Sequence, residues 1–191
     1  MCSAARRLAD TGLLDFSGGN LSLRVSNAFY VTPKYAGEEM RWDLLPEHLV
    51  EVSLAEETES LPKRASRESW MHYELYRLEP SFAAVIHTHQ KDLLSFACAG
   101  EPLKLPNEVE GFPAEVIPLT EPAPAGTRRL ALAVRKAVSE HFAGGSRAGV
   151  LIPGHGAVVV AESLRGAVGL LAAIASAAYV EIACRQAGLA E

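Results

Sequence analysis

The sequence predicts an α/β sandwich layered around one sheet, and three observations lead to it. Short apolar runs of strand character alternate with segments of helical periodicity. Glycine, proline and asparagine punctuate the boundaries between them. The 191 residues suffice for one sizeable core and are too few for two comfortable ones. No repeat and no low-complexity linker divides the chain, so residues 1–191 are expected to form a single domain.

Helical patterning covers residues 4–14 and is broken by Gly18-Gly19-Asn20. Two short strands follow, at 21–25 and 28–32, joined at Ser26-Asn27. Residues 48–54 alternate like a strand, and 55–65 read as a solvated loop. A helix is predicted over 67–78, with Ser66 as its N-cap and Pro80 as its stop. Residues 82–87 form a compact apolar strand, followed by a helix at 92–99 and a strand at 114–119. A further helix over 127–141 closes at Gly144-Gly145. Strands at 150–152 and 156–160 pair around Pro153-Gly154-His155, and a long helix runs from an N-cap near Ser163 to about Arg185.

Composition narrows the function classes. Apolar residues make up 49% and charged residues 21%, the balance of a globular protein. A net charge of −5 and scattered basic residues offer no polyanion groove, so no nucleic-acid partner is expected. No G-x-G-x-x-G follows the first strand, which argues against a dinucleotide fold. Three cysteines without a C-x-x-C pair, and an N-terminus that turns polar early, suit the reducing cytoplasm. The uncharged stretch 166–180 is shorter than the roughly 20 residues of a membrane span. It suits a core or subunit interface, and no membrane association is expected.

The chemistry concentrates in histidines. His87 and His89 end an apolar strand and, being two apart, point to the same face. Two imidazoles so placed can close on one ion, or they can be ordinary loop-edge residues. His155 lies in a glycine-flanked turn, where it could be hydrogen-bonded to backbone or project into a cavity. Together, three histidines with an open fourth position describe a catalytic zinc site. His48, His72 and His141 lack such settings and read as structural or surface residues.

Glu68 falls in the first turn of a predicted helix. There it could serve the helix dipole or act as a general base beside the metal. The run Ser17-Gly18-Gly19-Asn20-Leu21-Ser22 presents backbone and side-chain donors suited to a phosphate, or simply makes a turn. Lys34, Ser66 and Arg67 could complete an anion pocket.

These pieces together resemble the class II aldolase/adducin family. The resemblance rests on Gly19-Asn20-Leu21-Ser22, Val31-Thr32-Pro33, Ser66-Arg67-Glu68-Ser69-Trp70-Met71-His72, Ala84-Val85-Ile86-His87-Thr88-His89 and Pro153-Gly154-His155-Gly156-Ala157-Val158. Five motifs keep their order across nearly the whole chain.

The resemblance implies a single three-layer α/β/α domain with a central mixed, mainly antiparallel sheet, and a homotetramer. It implies that His87, His89 and His155 bind zinc or another divalent ion. Glu68 would bind the resting metal and serve as acid/base, while Gly19, Asn20, Thr32 and Ser66 form the substrate-phosphate cradle. Glu68 stands where the epimerase branch carries Asp, which favours the aldolases of the fuculose-1-phosphate type. The implied reaction cleaves a ketose 1-phosphate, through an enediolate, to dihydroxyacetone phosphate and an aldehyde.

Several positions depart from the family pattern. Lys34-Tyr35-Ala36-Gly37 replaces a small residue and glycine, and Arg67 replaces a second serine. Between Pro102 and Gly111 the aldolases' proton-donating tyrosine is absent, while Asn107, Glu108 and Glu110 are present. These departures bear on substrate rather than on fold or metal. They keep open a methylthioribulose-1-phosphate dehydratase, a 3-oxo acid phosphate decarboxylase and, in another class, a non-catalytic adducin-like interaction module.

Overall fold

The computed structural model describes residues 1–55, 57–105, 112 and 114–189. Helix α1 (Cys2–Asp10) leads into strands β1 (Asn20–Val25), β2 (Ala28–Val31) and β3 (Val50–Ser53). Then come α2 (Ser69–Leu78), β4 (Ala84–Thr88), α3 (Lys91–Ala99), β5 (Leu103–Lys104) and β6 (Val116–Ile117). The chain continues through α4 (Arg128–Phe142), the hairpin β7 (Ala148–Ile152) and β8 (Gly156–Ala161), and α5 (Leu164–Gln186).

The main sheet has six strands in the order β3-β2-β1-β4-β8-β7, and its pairings are antiparallel. The expected mixed character shrinks to one isolated parallel bridge, Leu119–Leu151, among the described residues. The reason is connectivity: β1–β2 and β7–β8 are joined by tight turns, and a tight turn joins strands antiparallel.

Side-chain alternation sorts the strands into two cores. Leu21, Ile86 and Val159 face α1, α3 and α5 with Leu8, Phe96 and Ile174. Val85, Val150 and Val158 face α2 and α4 with Met71, Leu75 and Val134. An antiparallel sheet usually wets one face. Here helices cover both, so β4, β7 and β8 are buried along their whole length. That is why their sequences read as unbroken apolar runs, and it gives the expected three α/β/α layers.

Several boundaries move for local reasons. The first helix ends at Asp10 rather than residue 14, because Gly12 adopts a left-handed φ of 73°. Pro46–His48 forms a 3₁₀ turn ahead of β3 rather than strand. Ser66 is not the N-cap of α2. Glu68 occupies that position, and the Ser66 hydroxyl accepts the Glu68 N–H at 3.4 Å one step earlier. Thr127 and Ser163 do cap α4 and α5, accepting from Leu130 N at 3.2 Å and Gly166 N at 2.9 Å. Helix α5 is long and apolar enough to cross a membrane by length and composition alone. Its Leu171, Ile174 and Ala178 are nevertheless buried in the core beside α3.

Candidate active site

The antiparallel register of β4 against β8 assembles the histidines. His87 pairs with Val158 and Thr88 with Ala157, which sets the β7–β8 turn, and with it His155, beside the end of β4. Ring centroids of the three imidazoles lie 4.8–5.2 Å apart, and one nitrogen from each falls within 4.8 Å of the others.

Several features show that these residues fit a divalent ion. His87 Nδ1 donates to the Ala157 carbonyl at 3.0 Å, which fixes the tautomer and leaves the Nε2 lone pair free. That Nε2 lies 3.1 Å from His89 Nε2. Two ligands held about 2.0–2.1 Å from one tetrahedral ion would stand roughly 3.3 Å apart. His155 Nδ1 is buried without a hydrogen-bond partner among the described residues.

Burial lowers the proton affinity of all three rings. His87 is shifted well below its ordinary value, with its neighbouring imidazoles adding to the effect. His155 falls to about 4, mainly by burial, and His89 is lowered for the same first cause. Neutral imidazoles with convergent lone pairs are the form that metals bind.

Two glycines make room for the cluster. A Cβ on Gly18 would sit 2.2 Å from His89 Cε1, and one on Gly156 would sit 2.2 Å from the Thr88 carbonyl oxygen. The sequence marks Gly156 through its turn, but gives no sign that Gly18 abuts His89.

Glu68 stands at the N-terminus of α2, buried, with Oε1 accepting the Gly126 N–H at 2.8 Å and lying 3.8 Å from His155 Nε2. Because His155 is held neutral, that approach is no ion pair. A helix dipole alone would favour ionisation. Instead the Glu68 carboxyl is raised above its usual range, because burial outweighs the Gly126 hydrogen bond and the Arg67 charge. Gly126 is a partner that the sequence does not announce, since it lies 58 positions away with no motif around it.

The expected anion residues mostly converge. Gly19, Asn20, Lys34, Ser66 and Arg67 line the same cavity of about 150 Å³ as Glu68 and the three histidines. Asn20 is the register partner of His87, one strand over. Thr32 is the exception: it is fully buried outside that lining, and its hydroxyl accepts the Leu21 N–H at 3.3 Å. It therefore shapes the β1–β2 pair from behind. Arg67 is exposed, with its guanidinium over the Tyr35 ring at 5.9 Å. Asn107, Glu108 and Glu110 lie outside the described residues.

His72 is fully buried, as a structural histidine should be. Its hydrogen bonds go to Asn20 and Ser22, a connection that one helical histidine in a sequence does not reveal.

The chain also matches known proteins. Over residues 1–182 the chain matches the family described as Class II Aldolase and Adducin N-terminal domain. It is 31% identical over 103 residues to the 5-methylthioribulose-1-phosphate/5-deoxyribulose-1-phosphate aldolase of Rhodospirillum rubrum, a match covering 54% of this chain and 45% of that one. It is 31% identical over 115 residues to the L-fuculose phosphate aldolase of Methanococcus vannielii, covering 60% and 61%. The matches thus span about half to three fifths of the length of these curated relatives. Among solved structures, the L-fuculose-1-phosphate aldolase of Thermus thermophilus superposes with a TM-score of 0.82 at 26% identity, covering 99% of this chain and 94% of that one. By sequence and by fold, the chain belongs to the class II aldolase and adducin family.

Proposed function

We propose that this protein is a zinc-dependent lyase that cleaves a ketose 1-phosphate, such as L-fuculose 1-phosphate, to dihydroxyacetone phosphate and an aldehyde. One observation carries the reading: three neutral, converging imidazoles, a buried carboxyl and a set of anion donors share a single cavity. A divalent ion held by His87, His89 and His155 would act as a Lewis acid on the substrate carbonyl.

The remaining work falls to the chain's own groups. The Gly19 backbone, the Asn20 amide, the Ser66 hydroxyl and the Lys34 and Arg67 cations hold the phosphate at the cavity wall. With the substrate so anchored, the C4 hydroxyl gives its proton to solvent water and its electrons form the aldehyde carbonyl. The electron pair of the breaking C3–C4 bond passes to C3 and the C2 carbonyl oxygen as the enediolate. Burial keeps a proton on Glu68 to higher pH than usual, which suits it to exchange that proton with C3. The Gly126 N–H holds the carboxyl in place throughout.

The reading extends to a cytoplasmic homotetramer. The three free cysteines suit a reducing compartment, and Tyr179 and Val180 leave apolar surface exposed on α5. Light scattering of the purified protein tests the assembly.

A panel of ketose 1-phosphates, assayed with added zinc for release of dihydroxyacetone phosphate, tests the activity. The panel includes 5-methylthioribulose and 5-deoxyribulose 1-phosphates, because the Rhodospirillum relative is named for them. Release from at least one member is expected. Loss of water from methylthioribulose 1-phosphate without carbon–carbon cleavage would instead make the protein a dehydratase. No turnover and no bound metal would make it an interaction module.

A further inference from the structure

Behind the cavity wall, four buried side chains form one continuous line. His72 Nε2 lies 2.5 Å from Asn20 Oδ1, His72 Nδ1 lies 2.6 Å from Ser22 Oγ, and Ser22 Oγ lies 2.7 Å from the Tyr76 hydroxyl. Each residue is 2% exposed or less. The geometry follows from two periodicities. Asn20 and Ser22 are two apart on β1 and share a face, while His72 and Tyr76 are four apart on α2 and stack along one side. Of the four, Asn20 alone reaches the cavity.

From this line we infer that His72 is a positioning residue, which fixes the Asn20 side chain so that its amide N–H groups face the substrate phosphate. The inference rests on the reading of Asn20 as part of the phosphate cradle. A neutral imidazole has one donor and one acceptor nitrogen. His72 stays neutral because burial pulls its pKa down to about 3. Asn20 Oδ1 can only accept, so Nε2 carries the proton and Nδ1 accepts from the Ser22 hydroxyl. Ser22 Oγ in turn receives the Tyr76 hydroxyl proton.

The near end sets the direction. The Ser22 hydroxyl has one proton and gives it to His72 Nδ1, so in the contact with Ser22 Oγ the Tyr76 hydroxyl donates its own proton. Ser22 takes it at 2.7 Å in preference to the Ala83 carbonyl at 3.4 Å. The line therefore runs one way, from Tyr76 to Asn20, and among the described residues leaves the Asn20 Nδ2 hydrogens to the cavity side. The opposite polarity would turn the Asn20 carbonyl oxygen toward an anion and repel it.

Two measurements on the full-length protein test this. Imidazole ¹⁵N spectra should show His72 as the neutral Nε2–H tautomer; the Nδ1–H tautomer would overturn the inference. The second is affinity for inorganic phosphate. Asn20→Ala should raise the Kd roughly ten-fold, the scale of one charge-assisted hydrogen bond. Ser22→Ala and Tyr76→Phe, which touch nothing in the cavity, should raise it in the same direction while metal stoichiometry holds. An effect of Asn20→Ala with none from Ser22→Ala or Tyr76→Phe would refute the positioning role alone. No effect of Asn20→Ala would remove the phosphate cradle itself, and the inference with it.

Discussion

Glu68 Oε1 stands 3.8 Å from His155 Nε2 while accepting the Gly126 N–H, so the buried carboxyl lies beside one of the three imidazoles that could hold a metal. Burial raises its proton affinity and lowers that of His155, which leaves both groups disposed to be neutral. Glu68→Gln keeps the shape and an acceptor for Gly126 but cannot carry the proton. Turnover should fall roughly 10²–10⁴-fold with metal content unchanged. A purely structural Glu68 predicts near-normal turnover, and steady-state kinetics on this variant separates the two.

Asn20 tests the anion cradle. Loss of a contact made equally in ground and transition states raises KM more than it lowers kcat. Asn20→Ala should show that split, and phosphate should compete with substrate in the wild type. Equal turnover of an unphosphorylated ketose would contradict the assignment.

Gly18 and Gly156 should respond differently to alanine. The Gly18 methyl would collide with the His89 ring, a side chain that can swing away. Metal affinity should therefore drop roughly 10–100-fold, as it does when a ligand's supporting contacts are lost, with the melting temperature little changed. The Gly156 methyl would strike the Thr88 backbone at a φ of 151°, and nothing there can swing. Gly156→Ala should lower the melting temperature markedly. Thermal melts paired with metal titrations distinguish the two outcomes.

His72 contributes a pH dependence to stability. Its folded pKa of about 3 lies below the ordinary 6.5, so the unfolded chain takes up the proton first. Its contribution is therefore complete above about pH 6.5 and is lost as pH falls below it. His87, His89 and His155 shift the same way in metal-free protein. Melting temperatures of the metal-free protein should decline between about pH 7 and 5, and less steeply in His72→Gln. Identical slopes would contradict the buried, neutral state of His72.

What the sequence made legible was what local pattern encodes. The period-2 spacing of His87 and His89, the Pro153–Gly156 turn and the Ser163 cap follow from neighbours in the chain. The layering around one sheet followed from strands alternating with helices, while the three-layer form came from the family resemblance. The unbroken apolar runs of β4, β7 and β8 fit a sheet covered on both faces. Contacts between distant segments were not legible. Gly126 reaching Glu68, Gly18 abutting His89 and His72 joining Asn20 to Ser22 depend on register and helix rotation. The setting of Thr32 was not legible for the same reason: its hydroxyl is turned to the Leu21 N–H, which a motif match cannot see. The start of α2 shifted because Ser66 pairs with the Glu68 N–H before the helix begins.

The central claim is the three-histidine metal centre, and equilibrium dialysis against zinc followed by elemental analysis tests it most directly. The wild type should retain one ion per chain, while His87→Ala and His155→Ala should lose it with the fold largely formed, as each removes one ligand of three. Wild-type stoichiometry surviving both substitutions, or a folded wild type that binds no ion, would contradict the account.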